Sequence, residues 1–319
     1  MRIRTWVAAW LGIALGTLPA FAAEYPARPV RFIVGFAAGG TTDVLARLVA
    51  QKLSEKWGQP VIVEIRAGAD GSIATEYVSR SPADGYVVGW VTSAHAITPV
   101  TTKLNYDPIN GIAPITLATS NPSLLVVHPS VPAKTVKELI ALAKARPGFI
   151  RYASSGTNTI QNLQMLLFMD MAGIKALHVP YKGGGQAITA LMGGEIDLYW
   201  AGVSTAAAQV ASGKLRALGV GSSVRTTFDP NMSTIEEAGG LKGFDASNWT
   251  GVLTAPGTPR DIIRRLNEGI VEVIRVPDMQ KRLMELGFVT VASTPEGFAE
   301  IIKRDITRWS KLLKNGIEQ

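Results

Sequence analysis

The chain has no cysteine and only three histidines among its 319 residues. Without thiols it can form no disulfide, no thiolate nucleophile and no cysteine-based zinc site. His95, His128 and His178 never fall at a metalloprotease spacing such as H-E-x-x-H. Serine chemistry also lacks its local marks. The nearest approach to a G-x-S-x-G elbow, "GVSTA" at 202–206, ends in alanine, and no serine has a lysine three residues on. Nucleotide fingerprints are missing too: there is no G-x-G-x-x-G and no P-loop lysine after a glycine-rich turn. Lysines and arginines are dispersed, with no basic run interleaved with aromatics, which excludes the usual nucleic-acid surface. A hydrolase triad assembled from distant residues, with His95 or Ser154 as members, is the one enzymatic reading left open.

Long apolar runs are equally scarce. The single example is N-terminal, where basic MRIR precedes TWVAAWLGIALGTLPA and the small-x-small triplet Ala20-Phe21-Ala22. It is short for a membrane span and fits a signal peptide, residues 1–22, that is cut after Ala22 or Ala23. With no cysteine to carry a lipid, the expected product is an exported periplasmic protein. Loss of Arg2 and Arg4 lowers the formal charge from +7 to +5, a mild basicity consistent with a solvated surface or with anionic solutes.

What the chain does contain is a repeated alternation of short β-branched runs and helical periodicities. Val30–Phe36 reads as a buried strand, and 42–57 places Val44, Leu45, Leu48, Val49 and Leu53 on one helix face closed by Gly58. Strands at 61–65, 86–91 and 115–118 and a helix at 72–81 complete a first α/β unit with an expected parallel core. The grammar restarts with strands at 124–128, 151–153, 177–179, 196–200 and 215–220 around helices at 135–145, 160–171 and 187–192. A return strand at 247–256 precedes three helices, at 259–275, 277–286 and 295–314, each opened by proline. Two α/β units without a linker imply two lobes sharing chain crossings. The expected division is 23–122 plus about 245–319 for the first lobe and 123–244 for the second.

Three strand-to-helix turns are rich in small residues: Phe36–Asp43, Ser154–Asn158 and Lys182–Gly185. A helix start leaves N–H groups unpaired and carries partial positive charge, so each turn suits an anion. Thr41, Thr42, Ser154, Ser155, Thr157 and Asn158 add donors for a carboxylate. Each turn is also compatible with a plain tight connection capped by its own hydroxyls. Open α/β sheets bind ligands beyond the carboxyl ends of their strands, where all three turns fall.

At this point the residues resemble a known family. "YPARPVRFIVGFAAGGTTDVLARLVAQKLSEKWGQPVIVEIRAGADGSIATEYVSRSPADGY", "YASSGTNT", "HVPYKGGGQAITALMGGEIDLYW" and "GVLTAPGTP" are similar, in order, to the substrate-binding proteins of tripartite tricarboxylate transporters, the Bug family. The resemblance implies a two-lobed, type II-like periplasmic binding fold of α/β class. It would close like a Venus flytrap on an organic carboxylate in the interlobe cleft, hold no cofactor and serve a membrane transporter as a monomer. It carries site roles onto Phe36, Ala37, Ala38, Gly39, Gly40, Thr41 and Asp43 in the first lobe. In the second lobe it carries them onto Ser154, Ser155, Gly156, Thr157 and Asn158, with Tyr181, Lys182 and Gly183 nearby.

Asp43 would repel a carboxylate and suits a cap or hinge, whereas Lys182 would neutralise one. His95 falls in a loop after the third strand, as a ligand contact or a structural histidine. Relatives often carry an acidic or amide residue where this chain reads Trp200-Ala201-Gly202. A tryptophan there suggests a flat apolar ligand body, hence an aromatic mono- or dicarboxylate. If Trp200 belongs to the core instead, an aliphatic di- or tricarboxylate is expected. A sensory role, presenting ligand to a membrane kinase, remains an alternative to transport.

Overall fold

The computed structural model describes residues 25–156, 159–181, 183–226 and 229–314. The chain begins with β1 (Val30–Val34), α1 (Thr41–Trp57), β2 (Val61–Ile65), α2 (Ser72–Ser79), β3 (Val87–Thr92), α3 (Ala94–Thr101) and β4 (Ala113–Asn121). It continues through β5 (Ser123–Val127), α4 (Val136–Ala145), β6 (Arg151–Ser154), α5 (Ile160–Ala172), β7 (Leu177–Pro180) and α6 (Gly184–Met192). Next come β8 (Leu198–Gly202), α7 (Val203–Ala211), β9 (Arg216–Val220) and α8 (Ile235–Gly239). It closes with β10 (Asn248–Thr254), α9 (Arg260–Arg275), α10 (Pro277–Glu285), β11 (Val289–Thr290) and α11 (Pro295–Lys314).

The strands form two sheets, ordered β11-β4-β10-β3-β1-β2 and β7-β6-β8-β5-β9. The expected parallel cores are there: β1 runs parallel to β2 and β3, and β6 parallel to β7 and β8. Both sheets are nevertheless mixed. β10 lies antiparallel between β3 and β4, and β5 antiparallel between β8 and β9. These two strands follow the chain's passages between sheets, so each enters its sheet against the local parallel set.

Each sheet is apolar on both faces, as strands covered by helices on either side require. In the first, Val30, Phe32 and Val34 pack with Leu45, Val49 and Ile270 from α1 and α9. Ile33 faces the other way, into the core that includes Val78, Phe298 and Ile302. In the second sheet Leu124, Val126 and Ala201 face α6, and Leu125, Leu198 and Trp200 face α5. Gly58 and Gly173 end α1 and α5 in the left-handed region, at φ 64° and 62°, which glycine adopts without strain.

The sequence predicts a loop where α3 forms and gives no signal for α7, α8 and β11. Alanine and threonine make up half of α3, which also has Pro99 inside it, and alanine, serine and threonine dominate α7, so neither displays the apolar stripe that marks a helix in sequence. No helix among the described residues is long and apolar enough to cross a membrane.

Candidate functional site

A cavity of about 420 Å³ is walled by residues from both sheets. Phe36, Gly40, Thr41 and Thr42 come from the loop after β1 and the start of α1. Asp70 precedes α2, and Thr92, Ser93 and Ala94 join β3 to α3. Ser155, Thr159, Ile160 and Gln161 come from the second sheet, at the start of α5, and Asn248 opens β10. Other hollows lie beside α9, one of about 360 Å³ against α1 and α10 and one of about 480 Å³ near the start of α11. Neither contains residues of the second sheet.

Helix starts are what the two sides of the 420 Å³ cavity share. α1, α3 and α5 all begin on its wall, and none is capped by the side chain of its N-cap residue. In α3 the first turn is partly satisfied, since Ala94 N–H donates to Thr92 Oγ1 at 3.3 Å and Ala96 N–H to Ser93 C=O at 3.0 Å, so the starts of α1 and α5 are the better placed to offer N–H groups to ligand or water. By contrast α4 and α8 are capped, with Thr135 and Thr234 accepting from the N–H of Glu138 and Glu237. A carboxylate gains about 0.3–1 kcal/mol at each such helix start, and up to ~2 when partly buried.

The wall is otherwise held from behind. Asp43 is buried and does not line the cavity. Its Oδ2 accepts from Gly39 N–H at 2.8 Å, and its Oδ1 pairs with Arg47 at 2.8 Å. Its charge is thus balanced inside the loop that it braces. Ser93 Oγ donates to Asn248 Oδ1 at 2.7 Å, which ties the α3 start to the return strand. Ser155 Oγ donates to Gln161 Oε1 at 3.0 Å. The buried Tyr199 hydroxyl, pushed up to about 12 by desolvation, is also hydrogen-bonded to Gln161, which draws it back. Thr159 Oγ1 donates to Gly156 C=O at 2.6 Å and folds the loop onto its own helix.

The sequence candidates divide accordingly. Phe36, Gly40, Thr41 and Ser155 are on the wall, and Ala37, Ala38 and Gly39 form the exposed tip beside it. Ser154 is fully buried, bonded to His178 Nε2 at 2.7 Å and to Gly156 N–H at 3.1 Å. That serine–histidine pair resembles a nucleophile and base, but no substrate reaches a hydroxyl with no exposed surface. Tyr181 packs beside the Leu124–Val126 face, and neither it nor Gly183 lines the cavity. Thr157, Asn158 and Lys182 lie outside the described residues.

At two positions where the sequence leaves a ligand contact and a structural role open, packing favours the structural one. His95 is buried, donates from Nε2 to Pro108 C=O at 2.9 Å and lies along the Tyr106 ring. It borders a hollow of about 10 Å³ behind Phe36 and is absent from the main cavity wall. Trp200 stacks on Phe244 at 5.8 Å and meets Phe168 edge-on at 6.3 Å, with no exposed surface. Ala201 is buried on the opposite face, because β8 is an interior strand covered on both sides. Thr92, Thr98, Thr159, Gln161, Asp70 and Asn248 were not singled out as site residues. "VTSAHAITP" after the third strand, "GADGS" after β2 and the polar "SN" after the crossing are the signals that point to some of them.

Residues 45–316 match the family described as the tripartite tricarboxylate transporter family receptor. The chain belongs to that family. It is 33% identical over 317 residues to Protein BugT of Bordetella pertussis, covering 97% of each protein. Among solved structures, R. palustris Rpa4515 with adipate is 32% identical, with a TM-score of 0.72, over 91% of this chain and 98% of that one. MatC (Rpa3494) from Rhodopseudomonas palustris with bound malate is 29% identical, with a TM-score of 0.69, over 90% and 99%. The fold of this receptor family is the two-lobed α/β binding fold, and the chain is a solute-binding receptor and not an enzyme.

Proposed function

We propose that this receptor captures an aliphatic carboxylate in the periplasm, closes around it and presents it to a tripartite tricarboxylate transporter. The observation that carries the reading is the convergence of the starts of α1 and α5, one from each sheet and neither capped by its N-cap side chain, with α3 beside them, on one cavity. The lobes would be 23–122 with about 245–319, and 123–244, hinged where β4 passes into β5 and where the chain returns at Ala246–Asn248. Closure would exclude water and strengthen each N–H···O contact by lowering the local dielectric.

The aliphatic assignment follows from the wall. Trp200, the residue that would favour an aromatic guest, is sealed in the core. Ile97, Ile160 and the Phe36 ring supply apolar contact for methylenes between hydroxyl-rich ends. Adipate and malate in the related structures fit the same class. The signal-peptide pattern at 1–22 supports export.

A thermal-shift screen against aliphatic and aromatic carboxylates tests the assignment. A ligand at 100-fold over its Kd should stabilise the protein by about 2.7 kcal/mol. Aliphatic acids are expected to raise the Tm. A response confined to sugars, amides or metals would overturn the carboxylate reading, and one confined to aromatic acids would overturn its aliphatic part.

A further inference from the structure

We infer that Asp70 makes the cavity selective for carboxylates that also carry an ammonium group. The inference rests on the cavity being a carboxylate site and names the class of carboxylate that it takes.

The charge on the wall is the starting point. Hydroxyls, amides and helix starts line the cavity, all suited to an anion, yet among the described residues the single ionisable side chain is acidic: Asp70. The other acid of the region, Asp43, is balanced by Arg47. Asp70 has no ion pair among the described residues, and the arginines of β1 and of the end of β2 are engaged elsewhere. Arg66 lies over the Tyr77 ring at 3.7 Å, and Arg31 pairs with Glu64. Burial keeps His95, on the small hollow that Asp70 also borders, in its neutral form near pH 7.

The backbone holds this charge in place at a cost. Gly68, Ala69, Asp70 and Gly71 all have positive φ, at 140°, 45°, 53° and 87°. Such conformations are strained for side-chain-bearing residues and persist where the surroundings enforce them. Here the enforcement is a backbone-to-backbone contact, since a Cβ on Gly35 would sit 2.6 Å from Gly71 Cα. The Phe36 ring covers Gly71 from the cavity side. Aspartate is among the few residues that tolerate the left-handed region. The turn therefore fixes a carboxylate at the rim of an anion site.

A guest bearing only carboxylates would bring like charges together there. An ammonium near its carboxylate would pair with Asp70 while the carboxylate takes the helix starts, so both charges find partners.

Isothermal titration of the purified protein tests this with matched acids: succinate against L-aspartate, and adipate against L-2-aminoadipate. The wild type is expected to bind the ammonium-bearing member of a pair at least tenfold more tightly. Asp70→Asn and Asp70→Gly both suit positive φ. Each should weaken the amino acid and tighten the plain diacid, so that the ratio falls at least tenfold. A wild type that binds the plain diacid equally well or better overturns the inference, as does a ratio unmoved in both variants. Binding of none of the four acids would overturn the carboxylate reading itself, and the inference with it.

Discussion

His95 shows how one side chain can lie beside a binding site without belonging to it. Its imidazole borders the small hollow that Phe36 also lines, bonded through Nε2 to Pro108 C=O and stacked on Tyr106. Desolvation lowers its pKa to about 4, partly opposed by the Pro108 bond. In the unfolded chain the ring titrates near 6.5, so as pH falls from 6.5 towards 4 the unfolded state takes up a proton that the folded state refuses. Stability contributed by the neutral ring is complete above that window and is lost on acidification, by roughly 3 kcal/mol at most. His178, also depressed by burial, acts in the same direction. NMR titration should find His95 neutral at pH 5. A midpoint near 6.5 would mean that the ring is solvated and the loop differently packed. At this scale the sequence was partly legible. Asp43 as an internal brace follows from its sign and its place in the first helical turn. Lone residues such as His95 and Trp200 did not disclose which way they face, because neighbours distant in sequence decide it.

At the scale of elements, α5 joins the cavity to the two chain crossings. Its first turn is on the wall, and one turn later the buried Gln164 donates from Nε2 to Ser123 Oγ at 3.1 Å and to Ala246 C=O at 2.6 Å. Those partners flank the two chain crossings, at the start of β5 and just before β10. Gln164→Leu should destabilise the protein by about 1–3 kcal/mol, since Ala246 C=O loses its donor and Ser123 its partner. Urea unfolding measures that loss. Small-angle scattering should also show a smaller compaction on adding a tight-binding carboxylate. An unchanged stability would mean that the crossings do not depend on α5. The strands and helices that build this frame were readable from apolar period and glycine stops. The antiparallel insertion of β5 and β10 was not, since it is a property of the crossings and not of local pattern. α3 was hidden by its small polar residues, and with it went the third helix start of the site.

At the scale of the whole molecule, two sheets share one chain through two short passages, and the C-terminal helix braces one of them. Arg308 of α11 donates to Asp245 C=O, Arg304 lies 3.4 Å from the Asp245 carboxylate, and Asp305 accepts from Trp249 Nε1 at 2.9 Å. These passages are thereby held from α5 on one side and α11 on the other, and the proposed closure would turn about them. The account stands on a carboxylate gripped between helix starts of opposing lobes. A crystal structure with the tightest-binding carboxylate measures this directly. It should place the ligand's oxygens about 2.7–3.2 Å from N–H groups at the starts of α1 and α5 together. A ligand bound against one lobe alone, or outside this cavity, would contradict it.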